Sequence, residues 1–161
     1  MSFIKNKFTL NTVLIFSVFA LITAYFIQYI LGHEPCNLCL IERIPYLAAI
    51  ILISLIFILN KFKKIISLII GLFFVFGAVV SFYHFGIEQG FFSESLVCDL
   101  GNTDKTTSAQ DLLKQLERKT VSCKDVTFKI FGLSLATFNT VISIIISAII
   151  LNIVINYDKN K

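Results

Sequence analysis

The 161-residue chain predicts an all-α membrane protein, a bundle of four transmembrane helices joined by a short and a long outer loop. Three observations carry that expectation. The composition is 57% hydrophobic and only 15% charged, with 17 Phe and a mean hydropathy of +0.85. Four stretches without Asp, Glu, Lys or Arg lie at about 10–31, 44–60, 65–84 and 131–156. Basic residues gather at alternate ends of those stretches. A soluble domain of this size has too little interior to hide so much apolar surface.

A helix needs about 17–25 residues to cross roughly 30 Å of hydrocarbon. The first, third and fourth stretches meet that length, while 44–60 is minimal and borrows Arg43 or Phe62 at its ends. Helices are expected because each satisfies its backbone N–H and C=O groups internally. Barrel strands would instead show alternating segments of about 10 residues. Lys5 and Lys7 before the first apolar run also fit a signal peptide. The run exceeds the ~7–15 residues of a typical signal core and no A-x-A site follows, so it reads as a retained first helix.

Lysines set the expected topology. Lys5, Lys7, Lys61, Lys63, Lys64, Lys159 and Lys161 flank one set of helix ends, opposed only by Asp158. The intervening segments, about 32–43 and 85–130, balance their cations with a larger number of Asp and Glu. Both termini are therefore expected in the cytoplasm and both segments outside. The net charge of +4 is a topology signal; no nucleic-acid partner is expected. One membrane domain covers residues 1–161, with a short helix expected over 108–119 of the long loop. Ser108 is its N-cap, Asp111 follows three residues on, and Leu112, Leu113 and Leu116 form an apolar face. That face packs on the loop itself or lies on the lipid surface.

The chain has four cysteines, Cys36, Cys39, Cys98 and Cys123, and all fall in the two outer segments. The space outside a bacterial plasma membrane permits disulfides, whereas the cytosol keeps thiols reduced. Cys36 and Cys39 form a C-x-x-C pair at the start of the second span. A static bridge there closes almost no loop and stabilises little, so the spacing reads as redox chemistry. Arg43 lies four residues after Cys39; if residues 39–43 are helical, its guanidinium shares a face with that thiol and lowers its pKa. Glu42 points to a different face. Pro45 means that the helix either begins near Arg43 or kinks at Pro45. Cys98 and Cys123 either brace the long loop or take part in exchange. A zinc site from all four cysteines is disfavoured by the wide second spacing and the oxidising compartment, and no metal is expected. His84 ends the third span, as an interfacial side chain or a donor to a cofactor at that depth. Glu88 is its expected partner. His33 reads as a solvated loop residue.

The segment 35–43, Pro-Cys-Asn-Leu-Cys-Leu-Ile-Glu-Arg, resembles the P-C-x-L-C-x-x-E/Q-R signature of the bacterial disulfide bond formation protein B (DsbB) family. The second cysteine pair, His84, the Phe131-Gly132-Leu133-Ser134 stretch and Asn139 are similar to that family as well. Quinone reductases of the vitamin K epoxide reductase type also carry C-x-x-C, but their loop pair usually precedes it. The resemblance implies an oxidoreductase of the bacterial inner membrane that reoxidises a periplasmic thioredoxin-like oxidase (DsbA type) and passes electrons to a quinone, ubiquinone or menaquinone. It further implies that Cys98 receives the partner's thiolate, that Cys123 exchanges with Cys36, and that Cys39 passes electrons to the quinone beside Arg43 and His84. Energetics agree. Reoxidising a dithiol near about −120 mV is uphill for a structural disulfide below about −300 mV, so a stronger acceptor must end the chain. The alternative is a membrane binding or carrier protein with a structural loop disulfide. It would place polar or charged groups near mid-bilayer, whereas these spans carry no Asp, Glu, Lys or Arg and offer Asn11, Gln28, a few Ser and Thr, and Asn139 near one end.

Overall fold

The structure, a computed structural model, describes residues 2–59, 62–93, 98, 122–124, 129–130 and 133–156. The expected helix over 108–119 lies outside the described residues. Four long apolar segments are helical, and each is long enough to cross a membrane. Helix α1 is Ser2–Tyr29, α2 is the short Asn37–Ile41, α3 is Ile44–Leu59 and α4 is Lys63–Glu88. Two short strands follow, β1 at Lys129–Ile130 and β2 at Leu133–Ser134, and then α5 at Leu135–Ile155. This is the four-helix membrane bundle that the composition predicts.

The element ends follow local chemistry. The start of α5 falls later than its apolar run suggests, because Ile130 pairs with Leu133 in a small antiparallel ribbon. Ser134 then caps the helix, its Oγ accepting the Thr137 N–H at 3.3 Å. At the other end of the neighbouring helix, α4 runs on to Glu88 and stops at Gly90, whose φ of 78° reverses the chain. Phe91 N–H then reaches Gly86 O at 2.8 Å and Gly90 N–H reaches Ile87 O at 3.0 Å, which satisfies the last carbonyls. Pro45 causes no kink. The short helix α2 stops at Ile41 and a new helix starts at Ile44, so Pro45 sits in a first turn, where its missing N–H costs nothing.

Helix α4 is central, packing along α5 and against α3, while α1 packs on α3. Ile53, Ile70, Phe74 and Ile150 are sealed inside the bundle. The outward faces are as apolar as the core: Ile58 is 76% exposed and Val79 63%. Such a surface is stable only where the solvent is lipid. Because lipid tails are as apolar as leucine, the helices associate through close packing of small residues. Gly77 of α4 is the tightest useful example: a Cβ there would stand 2.8 Å from Pro45 Cγ and 3.6 Å from Ser143 Oγ. Several Ser and Thr hydroxyls inside the spans return to their own helix, as Ser81 Oγ does to Gly77 O at 2.8 Å.

Gly77→Leu is expected to force α3 from α4 and cost about 1–3 kcal/mol, read as a lowered thermal midpoint in detergent. Gly71→Ala is expected to cost less, because its close neighbour, at 2.9 Å, is the flexible end of Leu151.

Candidate active site

The C-x-x-C spacing works here through helix capping. Cys36 is the N-cap of α2, with extended backbone at φ −69° and ψ 167°. Its Sγ takes the place usually held by a serine or aspartate oxygen and accepts the Cys39 N–H at 3.3 Å. The same geometry brings the two sulfurs to 2.7 Å, with no disulfide between them. A hydrogen bond from the Cys39 thiol is the main reason that the Cys36 thiol is pulled down to about 5. Burial opposes the shift, and the His84 imidazole adds to it.

His84 arrives from α4 with Nε2 3.6 Å from Cys36 Sγ. Its closest carboxylate is Glu42, whose Oε1 lies 2.7 Å from His84 Nδ1. Glu88, the partner expected from i,i+4 spacing, is also present, but at 3.7 Å from Nε2. Glu42 is thus a buried member of the site rather than a residue on another face. Its second oxygen accepts from Asn139 Nδ2 at 2.8 Å. The same Nδ2 donates to Ser81 Oγ at 2.7 Å, and Tyr46 OH donates to Asn139 Oδ1 at 2.5 Å. A polar chain therefore runs from Cys36 through His84, Glu42 and Asn139 to Tyr46, drawing on the two caps of α2 and on α3, α4 and α5. Glu42, Tyr46 and Ser81 were not among the residues assigned to the site from sequence. A signal for Glu42 was present: an acid beside an apolar span needs a buried partner.

Arg43 departs from the sequence expectation. Helix α2 ends before it, so the one-turn relation to Cys39 does not hold. Its Nη1 instead donates to Gln28 Oε1 at 2.7 Å, and its guanidinium lies 5.0 Å over the Tyr25 ring. Two contacts on α1 fix its position. His33 also differs from expectation, being half-buried rather than solvated.

These groups border one cavity of about 380 Å³. Phe16, Phe19, Ala20 and Ala24 of α1 with Leu135 and Phe138 of α5 form its apolar walls. Cys36, Cys39, Arg43, His84 and Asn139 are among its polar lining, and His33 lines it as well. The second cysteine pair packs with the thiols. Cys98 and Cys123 are joined as a disulfide with Cα atoms 5.9 Å apart. Both are buried, in one cluster with Cys36, Leu38 and Ile87. Asn37 Nδ2 donates to the Cys98 carbonyl at 3.4 Å. A dithiol and a disulfide thus share a buried cluster beside an apolar cavity, an arrangement suited to moving electron pairs between sulfurs.

Residues 6–153 match the family model described as disulfide bond formation protein DsbB. An uncharacterized protein of Rickettsia prowazekii (strain Madrid E) is 30% identical over 161 residues, 98% of this chain and 93% of its own. A disulfide bond formation protein B of Haemophilus influenzae (strain 86-028NP) is 27% identical over 123 residues, 74% of this chain and 70% of its own. No solved structure matches significantly. The match over nearly the whole length, together with two cysteine pairs held side by side, shows that the chain belongs to the DsbB family of disulfide bond formation proteins.

Proposed function

We propose that this protein is a quinone-linked thiol oxidase of the bacterial inner membrane. It takes electrons from a reduced thioredoxin-like partner of the DsbA type on the periplasmic side and delivers them to ubiquinone or menaquinone in the bilayer. The observation that carries this reading is the shared cluster of Cys36, Cys98 and Cys123, with Cys36 and Cys39 opening on an apolar cavity. The lysine distribution supports the orientation, with the cysteine end of the bundle outside.

Exchange starts with the partner's thiolate attacking Cys98, which expels Cys123 as a thiolate and leaves a mixed disulfide. Cys98 is buried, so its sulfur must become accessible for this step. Cys123 then attacks an oxidised Cys36–Cys39 pair at Cys36, and Cys39 leaves. The partner's second cysteine resolves the first mixed disulfide, and Cys98 takes Cys123 back, leaving Cys36 and Cys39 reduced. A quinone, when bound, supplies an acceptor for two electrons and two protons. The cavity suits such a group: its volume falls in the ~300–1,000 Å³ range of small-molecule sites, and its walls are apolar around a few fixed polar groups. Arg43, locked by Gln28 and Tyr25, and His84 would hold the polar edge of the ring and stabilise negative charge there. Cys36, held as a thiolate 2.7 Å from Cys39 Sγ, is placed to close the disulfide as the electron pair leaves through Cys39. The Glu42–His84 pair is placed to take up and return protons beside it.

Quinone absorbance, followed with purified protein and a reduced thioredoxin-like partner, tests the reading. Cys36→Ser and Cys39→Ser are each expected to abolish turnover; undiminished rates in either would overturn the proposal. Arg43→Met is expected to raise the KM for quinone about tenfold, the loss of roughly 1.4 kcal/mol, while leaving the KM for the partner unchanged.

The pH dependence of thiol alkylation tests the state of Cys36. A depressed pKa means that the thiolate persists above about 5 and is lost as the pH falls through that value. In a reduced Cys98→Ser/Cys123→Ser chain, the rate of Cys36 modification by iodoacetamide, read by peptide mass, is therefore expected to be flat from pH 8 to about pH 6. It should halve near pH 5. Cys39→Ala is expected to move the inflection up toward the ordinary thiol value of about 8.5.

A further inference from the structure

We propose that the reduced protein has a second binding activity: Cys36, Cys39 and His84 form a site for a borderline-soft divalent cation of the Zn²⁺ type, with the buried Glu88 carboxylate beside it, and the ion locks the dithiol until it leaves. This differs from the four-cysteine site disfavoured by spacing, because Cys98 and Cys123 are bonded to each other. It holds whatever the electron acceptor is.

The first argument is geometric. The two sulfurs and His84 Nε2 all lie within 4.8 Å of one another. With Zn–S near 2.3 Å and Zn–N near 2.0–2.1 Å, a tetrahedral ion needs an S···N edge of about 3.5 Å and an S···S edge of about 3.8 Å. The Cys36 Sγ to His84 Nε2 distance is 3.6 Å, already that of such an edge. The sulfurs, at 2.7 Å, must part by about 1 Å, which side-chain rotation of Cys39 supplies.

The second argument concerns the histidine. Metal-bound imidazoles nearly always give their other nitrogen to a carboxylate, which fixes the ring and the tautomer. His84 has this arrangement: Nδ1 is 2.7 Å from Glu42 Oε1, and the free face of Nε2 is turned to the sulfurs. Glu42 is itself held by Asn139 at 2.8 Å. The ring orientation that a metal requires is thus built before any metal arrives.

The third argument is Glu88. Its side chain is only 6% exposed, and Oε1 lies 3.7 Å from His84 Nε2. Its Oε2 is buried without a hydrogen-bond partner among the described residues. A buried carboxylate oxygen with nothing to accept carries a substantial desolvation cost, which a cation would relieve. Two thiolates and an imidazole make an S₂N set, with the fourth position left to water or an anion. Thiolate ligands select zinc-like ions over magnesium or calcium.

The binding step is not a redox reaction. Two thiols and one cation give two metal–thiolate bonds, and the two thiol protons pass to solvent. With both sulfurs occupied, neither attacks a disulfide, and disulfide closure between them requires the ion to leave. The oxidised pair offers no thiolates and does not bind.

The test uses the full chain in detergent carrying Cys98→Ser and Cys123→Ser, reduced with a phosphine and then freed of reductant. Zn²⁺ is titrated in competition with a chromophoric chelator, and Cd²⁺ is titrated by its thiolate charge-transfer absorption. One ion per chain is expected. Affinity should fall at least about 100-fold in Cys36→Ser, Cys39→Ser and His84→Ala, and about 10–100-fold in Glu42→Gln, whose residue acts only through His84. Glu88→Gln should weaken binding about tenfold, and the oxidised chain should not bind. Absence of binding, or affinity unchanged in both His84→Ala and Glu88→Gln, overturns the proposal. If His84→Ala does not fold, zinc K-edge X-ray absorption of the parent decides. A shell of two sulfurs with imidazole and oxygen scattering supports the site, and a shell without imidazole refutes it.

Discussion

The contact between Glu42 Oε1 and His84 Nδ1, 2.7 Å long and buried at one end of an apolar bundle, is the interaction on which the rest of the site depends. A carboxylate in that position is costly unless each oxygen is satisfied. One oxygen meets the imidazole and the other meets Asn139, which ties α4 and α5 to the turn after α2. The imidazole in turn faces Cys36. The energetic need to satisfy one acid thus orients the ring beside the reactive sulfur. Loss of Glu42 would leave a buried histidine and a buried asparagine each short of a partner.

Lipid as the solvent shapes everything around this contact. With apolar surface on both the inner and outer faces of the helices, burial of leucine and isoleucine does little to select one packing over another. Specific approach falls to small residues such as Gly77 against Pro45, and to the few polar side chains that must find each other. The helix break at Glu42 and Arg43 belongs to the same economy. It seats Pro45 in a first turn, sends Glu42 inward and turns Arg43 back to α1. Adjacent residues of opposite charge consequently turn to different helices, Glu42 to α4 and α5 and Arg43 to α1.

Much of the architecture was legible from composition and charge, because hydrocarbon thickness sets a minimum helix length and the uncharged runs meet it. The C-x-x-C pair was legible for a local reason: capping geometry over residues 36–39 is contained in four consecutive residues. His84 was legible as an ionisable residue at a span end. The direction of Arg43 was not, since it turns on where α2 stops. Glu42 was misjudged for the same reason: its inward course follows from the break. His33 read as a loop residue because its half-burial comes from the walls of the cavity, which lie elsewhere in the chain. Leu133 and Ser134 read as part of the last span because a two-residue ribbon leaves no periodic trace.

By itself, then, the amino-acid sequence determined four membrane-spanning helices, the sulfur pair at a helix start and the DsbB likeness of residues 35–43. Each of these rests on interactions within one segment or between a segment and its solvent. Only the tertiary structure decided that Glu42 rather than Glu88 is the near partner of His84, that Asn139 and Tyr46 complete the chain, and that Cys98 and Cys123 lie against Cys36. Those contacts join residues from about 40 to 100 positions apart. Their geometry depends on how helices pack, which hydrophobic periodicity in a lipid-facing bundle does not encode.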